Sequence, residues 1–591
     1  MNNEEVIHQA FGLIQKGMLV EAKAISLFLG KSQETVIDAI SLLGVIAFKE
    51  HHYKEATEHM QSAIEARPAV VGYYNILGNI YKAEGKEIAA IEVYRQGLSI
   101  DSSNVNIGLN LARILRSNGG ENEALEIIQK LASQNGAATF AAMLASWQLF
   151  YTPSSLEHMT ILRQNYEQAV NELSAINGLI DEEILLQSAT NFLAVYQGKD
   201  DRKFQELIAN FYIRACPTLS FKAPHLDELR TEKLGAAKIS IGFISTNFRN
   251  HTVGKLFRGI IANLDREVFE VSVFGDTIED DIALFIKEHC DQFHKLPHSL
   301  SDAREVISRA QLDILVYADI GMEILTYFLA FSRLAKVQCV SWGHGVTTGL
   351  PTIDYFITGL HLQELELEKA QSHYTEKLVR LSLPPTYLYP FQVPALKDTP
   401  GLSFADAKTL YVCLQALFKI HPDFDALLIS VLQRDLNGVA IFIEGQAGWS
   451  DALRARWQVL DPEINKRIHF LPRQNQNGFL ALAKAADVIL DTIYTCGGIS
   501  SAEALSQGTP VVTWPNSDLL FARATTAYYT QIDVLDCVAY SADEYINIAV
   551  RLGTDMVWRE TVEARIKENN HLLFKREEVL QELSAFFQSV I

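Results

Sequence analysis

The chain has 591 residues, of which 48% are apolar and 21% charged, and these values are ordinary for a folded globular protein. The formal net charge of -20 disfavours nucleic acid as a partner, because an acidic surface repels phosphate groups. The amino terminus lacks the basic segment and apolar core of a secretory signal, and no apolar run is long enough to cross a membrane, so we expect a cytoplasmic protein. The six cysteines form no C-x-x-C pair and are expected to be reduced thiols.

A repeat organises the amino-terminal part of the chain. Gly44, Gly78 and Ala112 each follow a leucine and recur at a spacing of 34 residues, the period of tetratricopeptide (TPR) repeats. Two further sets of positions keep the same spacing: the small residues Ala56, Ala90 and Ala124, and the large apolar residues Met60, Tyr94 and Ile128. Small residues let two helices cross closely, and large ones fill the groove between neighbouring pairs. The pattern predicts TPR-type repeats over residues 1–136, followed by a helical linker or cap over 137–235.

The remainder of the chain alternates short apolar runs with amphipathic stretches, which is typical of parallel sheets covered by helices. Candidate strands fall into two series: Ile239–Ile244, Phe269–Phe274, Ile314–Tyr317 and Val337–Trp342, then Leu410–Leu414, Ala440–Glu444, Ile468–Leu471, Val488–Leu490 and Val511–Trp514. A proline-rich stretch from Leu383 to Pro400 separates the two series. We predict two doubly wound lobes, 236–390 and 391–591, with the carboxy-terminal helices in the second. Ligands of such sheets bind beyond the carboxyl ends of the strands, so a cleft between the lobes is the expected site.

The most distinctive local motif follows the candidate strand Val488–Leu490. Its glycines and serines are Gly497, Gly498, Ser500 and Ser501. Glycines let a phosphate approach the backbone, and the helix start that follows offers free N–H groups and the positive end of its dipole. The motif therefore predicts a site for nucleotide phosphates, with Glu503 placed to accept from ribose hydroxyls. A well-capped helix after a glycine turn is the alternative, since neither the Walker nor the dinucleotide fingerprint is present.

A lysine follows another candidate strand, Leu410–Leu414. Lys419 lies just beyond that strand, four residues after Gln415. A lysine in this position can neutralise the charge that grows on a diphosphate leaving group, and no metal is then required. A solvated surface lysine is the commoner fate of any single Lys. We predict a catalytic and donor-binding role for Lys419, and we place Gln415 with the donor-binding residues.

Two further loops follow strands of the first predicted lobe. His251 comes after Ile239–Ile244, where an imidazole points toward the cleft and can act as a base or orient the acceptor. A glycine-rich loop follows Val337–Trp342. We assign four residues of these loops to the acceptor side of the cleft: Asn250, His344, Thr347 and Thr348. A structural histidine and a tight turn are the alternatives.

In this order, these segments resemble the family of O-linked N-acetylglucosamine transferases and SPINDLY proteins. Asp354–Thr358, Glu376–Val379 and Gly508–Thr513 are similar to that family position by position. Bacterial adhesin glucosyltransferases share the pattern more loosely. The resemblance implies an α plus α/β chain in which TPR-type helical repeats precede a GT-B fold of two Rossmann-like lobes, an acceptor-side lobe and then a nucleotide-sugar donor lobe.

The resemblance also implies roles for individual residues. His251 matches a cleft histidine that is considered for acceptor activation, and Lys419 matches the lysine that contacts the donor diphosphate. The loop from Gly497 to Ser501 matches the loop that holds donor phosphates and ribose, and Glu503 matches an acidic position there. The implied reaction is inverting and needs neither a metal nor another cofactor.

The chain departs from the N-acetylglucosamine transferases at several positions. Ala416 stands where they have Gln, Gly498 where they have His, and Gly345 where the family often has Pro. SPINDLY-like members also lack that Gln and that His, and they share a Glu at the position of Glu503. The resemblance therefore leaves the donor sugar and its nucleotide base open.

We expect a protein glycosyltransferase that moves GlcNAc or another hexose from a nucleotide-diphosphate sugar, with UDP as the expected nucleotide, to Ser or Thr of an acceptor held by the repeats. Enzymatic alternatives are an Asn-directed protein glucosyltransferase, a GDP-fucose-dependent O-fucosyltransferase and a transferase for glycans or small molecules. A non-catalytic TPR scaffold is the alternative without chemistry. Apolar surface on the repeats would equally serve a homodimer.

Overall fold

The computed structural model describes residues 3–15, 17–227, 238–276, 278–363, 366–391, 409–446 and 448–591. The chain divides into two compact units, residues 1–140 and 141–591. The first unit is built from antiparallel helix pairs. Its helices are α1 (Asn3–Gln15), α2 (Leu19–Leu29), α3 (Val36–Lys49), α4 (Tyr53–Ala66), α5 (Val71–Ala83), α6 (Glu87–Ile100), α7 (Val105–Ser117) and α8 (Glu121–Asn135), and α9 (Ala137–Ser146) spans the boundary.

The glycines of the repeat lie where helices cross most closely. A Cβ at Gly44 would stand 2.4 Å from the Cε of Met60, and one at Gly78 would stand 2.2 Å from the ring of Tyr94. Met60 and Tyr94 are fully buried, as is Ala56. The predicted alternation of small and large residues is therefore confirmed as the packing rule of these helix pairs.

Helical segments open the second unit before its first sheet begins. They are α10 (Leu156–Glu172), the short α11 (Glu182–Leu185) and α12 (Arg202–Ala215), with a 3-10 turn at Phe192–Gln197 between the last two. The side chain of Ser155 caps α10 by accepting from the backbone N–H of His158. These helices group with the sheets in the unit 141–591.

The first sheet has seven parallel strands in the order β3-β2-β1-β4-β5-β6-β7. The strands are β1 (Ile239–Ile244), β2 (Phe269–Gly275), β3 (Gln292–Lys295), β4 (Ile314–Tyr317), β5 (Val337–Ser341), β6 (Tyr355–Gly359) and β7 (Lys377–Leu381). The helices that connect them are α13 (Thr252–Asn263), α14 (Asp281–His289), α15 (Leu300–Arg309), α16 (Ile324–Leu329) and α17 (Leu367–Ser372). The sequence predicts β1, β2, β4 and β5 but not β3, β6 and β7. These three form the two outer parts of the sheet, where polar residues interrupt the apolar runs that mark its centre.

The second sheet has five parallel strands in the order β10-β9-β8-β11-β12. The strands are β8 (Thr409–Cys413), β9 (Gly438–Ile443), β10 (Ile468–Leu471), β11 (Val488–Leu490) and β12 (Val511–Val512), all of them predicted. The helices around it are α18 (Pro422–Arg434), α19 (Trp449–Leu460), α20 (Pro462–Asn465), α21 (Gln476–Ala485), α22 (Ile499–Ser506), α23 (Ala524–Gln531), α24 (Ala542–Thr554) and α25 (Met556–Asn569).

The last helix, α26 (Glu577–Ser589), packs on the first sheet rather than on the second. Phe587 meets the ring of Phe269 at 6.2 Å between centroids, and Phe586 meets Tyr355 at 5.2 Å. The backbone N–H of Ser382 donates to Glu582 at 2.8 Å. The predicted boundaries place this helix in the second lobe. In the structure it packs on the first lobe, because its aromatic residues cover the first sheet.

Both sheets reverse their strand order about a central strand, β1 in the first and β8 in the second. Crevices open at such switch points, beyond the carboxyl ends of the strands. His251 follows β1, and Lys419 follows β8. The motif with Gly497 and Gly498 follows β11, the neighbour of β8. The topology thus directs these predicted motifs to the facing edges of the two sheets.

Candidate active site

Two adjoining cavities, of about 330 Å³ and 360 Å³, lie between the two sheets. They share His251 and Thr252 from the first lobe and Ala416, Lys419 and Gly498 from the second. The smaller cavity is mainly aromatic, and we name it the aromatic chamber. The larger one is mainly polar, and we name it the polar cavity. Residues that lie far apart in the sequence therefore form one continuous cleft.

Lys419 stands at the junction of the two cavities, at the end of a 3-10 turn. Its Nζ donates to Oε1 of Gln415 at 3.1 Å, and Nε2 of Gln415 donates to Ser500 at 3.0 Å. Burial lowers the pKa of Lys419, while the thiol of Cys496 and the carboxylate of Asp491 oppose that shift. The predicted donor-binding residues Lys419, Gln415 and Ser500 are therefore joined in one hydrogen-bonded chain.

A buried aspartate holds the glycine loop in place. Asp491 accepts hydrogen bonds from the backbone N–H of Gly497 at 2.8 Å and from the hydroxyls of Thr525 at 2.6 Å and Thr513 at 3.1 Å. Burial raises the pKa of Asp491 to about 6. A Cβ at Gly497 would stand 2.2 Å from the Oγ of Ser501 and 2.7 Å from Nε2 of Gln415, so a larger residue would displace these side chains. The sequence prediction missed this anchor, although Asp491 directly follows β11.

The serines and glycines of the loop divide into two groups. Gly498 caps α22 and lines both cavities, with open space where a side chain would begin. Ser500 lines the polar cavity. Ser501 is 2% exposed, and its hydroxyl lies 2.8 Å from that of Thr525. The prediction that Ser501 contacts the donor is therefore corrected, because this hydroxyl faces the loop's own anchor.

His251 caps the helix α13, and the cap settles its tautomer. The backbone N–H of Val253 donates to Nδ1 of His251 at 3.3 Å. Burial, together with the nearby cations of Arg249 and Lys255, lowers the pKa of His251 to about 4. The neutral ring therefore carries its hydrogen on Nε2 and offers a donor, not a base, from that atom. Of the two predicted roles, this geometry favours orientation of a substrate.

Aromatic rings from three parts of the chain line the aromatic chamber. They are Phe192, Tyr196, Trp342, Phe418 and Phe521. The ring of His344 stacks on that of Phe192 at 5.6 Å between centroids, and burial lowers the pKa of His344 to about 4. His344 therefore lies at the cleft, as predicted. Phe192 and Tyr196 come from the segment that the sequence identifies only as a linker, and their spacing of four residues gives no motif.

Thr347 and Thr348 do not reach either cavity. The hydroxyl of Thr347 donates to Glu376 at 2.7 Å, and the backbone N–H of Thr348 donates to the same carboxylate at 2.8 Å. All three residues are buried. The prediction that these threonines line the cleft is corrected, because they fix their loop to Glu376, the residue just before strand β7. Asn250, by contrast, lines the polar cavity, and its assignment to the acceptor side stays a prediction.

Glu503 lines the polar cavity one turn into α22, with two unpredicted partners. Its Oε1 accepts from Nζ of Lys255 at 2.7 Å and from Nε2 of Gln476 at 2.7 Å. Lys255 belongs to the first lobe, so this ion pair crosses the cleft. Nothing in the local sequence of α13 marks Lys255, since its partners lie more than 200 residues away.

Two features are absent among the residues that the structure describes. No three His, Cys, Asp or Glu side chains there form a group that could hold a metal ion. In the same residues, no helix is long and apolar enough to cross a membrane. All six cysteines are free thiols.

Comparisons with known proteins match both parts of the chain. Residues 400–583 match the family described as Glycosyl transferase family 41, and residues 71–104 match the tetratricopeptide repeat. A probable UDP-N-acetylglucosamine--peptide N-acetylglucosaminyltransferase, SPINDLY of Arabidopsis thaliana, is 25% identical over 343 residues, which are 54% of this chain and 35% of that protein. The UDP-N-acetylglucosamine--peptide N-acetylglucosaminyltransferase of Caenorhabditis elegans is 30% identical over 152 residues, 25% of this chain and 13% of that protein.

The chain is thus similar to the O-GlcNAc transferase and SPINDLY family. It spans about a third of the length of the first curated relatives that it matches. The solved structure of a Thermobaculum terrenum O-GlcNAc transferase mutant superposes with a TM-score of 0.69 at 20% identity, over 95% of this chain and 98% of that one. This match confirms the predicted fold of helical repeats followed by a GT-B pair of lobes. Lys419 and Gly498 line the cleft between the lobes, where the sequence predicted them.

Proposed function

We propose that the protein is an inverting, metal-independent glycosyltransferase that moves a hexose from a nucleotide-diphosphate sugar to Ser or Thr of a protein. The donor that we propose is a UDP-sugar, with GlcNAc as the first candidate. The names of the Arabidopsis and Caenorhabditis relatives support this choice, since both are described as transferring N-acetylglucosamine from its UDP form to peptides.

One observation carries the proposal: Lys419 and the start of α22 converge on the same cavity. An acceptor oxygen attacks the anomeric carbon as the bond to the diphosphate breaks, and negative charge then grows on the leaving phosphate. An ammonium group and the free N–H groups of a helix start stabilise such charge at fixed positions. Gln415 holds Lys419 and Ser500 together at this point.

The remaining parts of the cleft would bind and orient the substrates. His251 would donate a hydrogen bond from Nε2, because its Nδ1 is already engaged as the cap of α13. The rings of Phe192 and Tyr196 give the aromatic chamber apolar faces, on which the C–H groups of a sugar or acceptor side chain pack. We assign no residue as the base that removes the acceptor proton.

The repeats would supply the protein acceptor. Stacked TPR pairs form extended surfaces that bind peptides, and the first unit has this architecture through α8. The acceptor would have to reach the cleft in an extended form, because the hydroxyl must approach the anomeric carbon closely.

Peptide mass spectrometry after a transfer reaction tests the proposal. Purified protein is incubated with a cell extract, a chelator and one donor at a time: UDP-GlcNAc, UDP-glucose or GDP-fucose. Hexose or N-acetylhexosamine on Ser or Thr, absent with Lys419→Ala, is the expected result. Modification of Asn, or fucose from GDP-fucose alone, would establish the corresponding alternative. Transfer only after a divalent metal is restored would refute metal independence.

A further inference from the structure

A lysine from the first lobe completes the polar cavity of the second. Nζ of Lys255, on α13, lies 2.5 Å from Oε1 of Gln476 on α21 and 2.7 Å from Oε1 of Glu503 on α22. Nε2 of Gln476 in turn donates to Glu503 at 2.7 Å. The three side chains thus form a closed triangle of hydrogen bonds, which we name the interlobe triad.

Burial makes this arrangement more than a surface ion pair. Glu503 is 3% exposed, and the side chain of Lys255 is 13% exposed. A carboxylate buried to that extent loses its hydration, and the ion pair and the hydrogen bonds of the triad compensate for this loss. Lys255 therefore holds the carboxyl group of Glu503 by Oε1, and it also fixes the orientation of the Gln476 amide, whose oxygen faces Lys255.

The triad leaves one oxygen of Glu503 available. Both contacts fall on Oε1, and no residue in the described ranges donates to Oε2. Glu503 lies four residues beyond Ile499 at the start of α22, a separation of about 6 Å along a helix axis. In a nucleoside diphosphate the ribose is separated from the diphosphate by about that distance. A diphosphate bound at the start of α22 would therefore bring the ribose close to Glu503. The ring of Phe479 lines the same cavity and offers an aromatic face.

We propose that Lys255 is a positioning residue for the donor nucleoside: it holds Glu503 by Oε1, so that Oε2 accepts from a ribose hydroxyl. The inference rests on the proposed function, because it takes the donor to be a nucleoside diphosphate sugar. It also makes the first lobe a participant in nucleoside recognition, through a residue that never touches the nucleoside itself.

The chain offers a matched control in a second ion pair between the lobes. Lys369, on α17, lies 2.6 Å from Asp518 of the second lobe, and neither residue lines the polar cavity. Lys369→Met removes an ion pair between the lobes and leaves the three residues of the interlobe triad unchanged. If Lys255→Met and Lys369→Met have the same effect, that effect is caused by weaker association of the lobes and not by a lost contact with the nucleoside.

Calorimetric titration of nucleoside diphosphates into the full-length protein tests the inference. UDP and GDP are titrated first, followed by the 2′-deoxy and 3′-deoxy forms of whichever binds. Lys255→Met is expected to raise Kd about tenfold, the scale of a lost hydrogen bond to a charged group, and to abolish the preference for ribose over its deoxy forms. Glu503→Gln should abolish the same preference, and Lys255→Arg should retain most of it.

Two outcomes would overturn the inference, and a third would remove its foundation. Lys255→Met with a wild-type ratio of ribo to deoxy affinities would show that the lysine does not act through the ribose. Equal losses in Lys255→Met and Lys369→Met would assign the effect to lobe association. Failure of every nucleoside diphosphate to bind the wild-type protein would overturn the proposed function, and this inference with it.

Discussion

Lys419 donates a hydrogen bond to Gln415 at 3.1 Å, and this contact joins the two motifs that follow β8 and β11. The other end of the same amide donates to Ser500 at 3.0 Å. Neither motif is decisive alone, since single lysines and glycine loops are common. Joined by Gln415 and facing one cavity, they form the single site that we propose for an anionic leaving group.

Replacement of that lysine should affect chemistry more than binding. We expect Lys419→Ala to lower kcat about a hundredfold or more, the effect of removing one preorganised charge from a transition state. Initial rates of donor hydrolysis give kcat, and titration gives the Kd of the nucleoside diphosphate. Lys484→Ala, at an exposed position on α21, is the matched control and should leave both values unchanged. Wild-type turnover in Lys419→Ala would contradict the leaving-group role.

Two glycines of the same helix, α5, should respond in opposite directions to alanine. A Cβ at Gly78 would overlap the ring of Tyr94, whereas one at Gly72 meets no atom within 4 Å. We expect Gly78→Ala to lower the free energy of unfolding of the repeats by about 1–3 kcal/mol, through overpacking. Gly72→Ala should raise it by up to ~1 kcal/mol, because alanine favours the helix. Hydrogen exchange of α5 and α6 measures both, and equal protection in the two variants would be inconsistent with the packing described.

Acid should destabilise the protein through buried histidines. Burial lowers the pKa of His251, His344 and His421 from 6.5 to about 4. Their contribution to stability is complete above pH 6.5 and is lost as the pH falls toward 4. In that range these histidines bind protons in the unfolded chain but stay neutral in the folded chain. The carboxyls of Asp319 and Asp491 oppose this trend, since burial raises their pKa values to about 6.

A single replacement isolates one of these histidines. His344→Phe keeps a ring in the aromatic chamber but removes the titrating group. The free energy of unfolding of wild type minus that of the variant should fall with decreasing pH between 6.5 and 4, by up to about 1.4 kcal/mol per pH unit. Urea denaturation at a series of pH values measures it. A difference that does not change with pH would show that His344 titrates normally.

Removal of the repeats should separate acceptor selection from chemistry. All the cavity residues belong to the second unit, so a variant without residues 1–136 keeps the cleft. We expect donor hydrolysis to continue and transfer to proteins to stop, while transfer to a short Ser- or Thr-containing peptide persists. Unchanged transfer to proteins would assign acceptor recognition to the lobes alone.

The sequence predicts the positions of chain segments better than the directions of side chains. The repeat spacing and the apolar runs of central strands are local patterns, so the helix pairs and β1, β4, β8 and β11 are predicted. Outer strands such as β7 are only partly buried, and their mixed composition hides them. The loops after strands also lie at the cleft as predicted, because topology alone puts them there.

Which residues of those loops face the cleft depends on distant partners. Ser501 and Thr348 resemble ligand-binding residues in sequence, yet Thr525 and Glu376 turn them inward. Lys255 shows the converse, since its role depends on a carboxylate 248 residues away. Contacts of that kind leave no periodic or local signal in the chain.

Binding of a nucleotide-sugar without metal is the most direct test of the central claim. Purified full-length protein in chelator is mixed with UDP-GlcNAc, UDP-glucose and GDP-fucose, and its melting temperature and donor hydrolysis are measured together. Ligands that bind the folded state raise the melting temperature by mass action. We predict a rise and slow hydrolysis with one donor, above all a UDP-sugar. No response to any donor or to its nucleoside diphosphate would contradict the account and favour a non-catalytic scaffold.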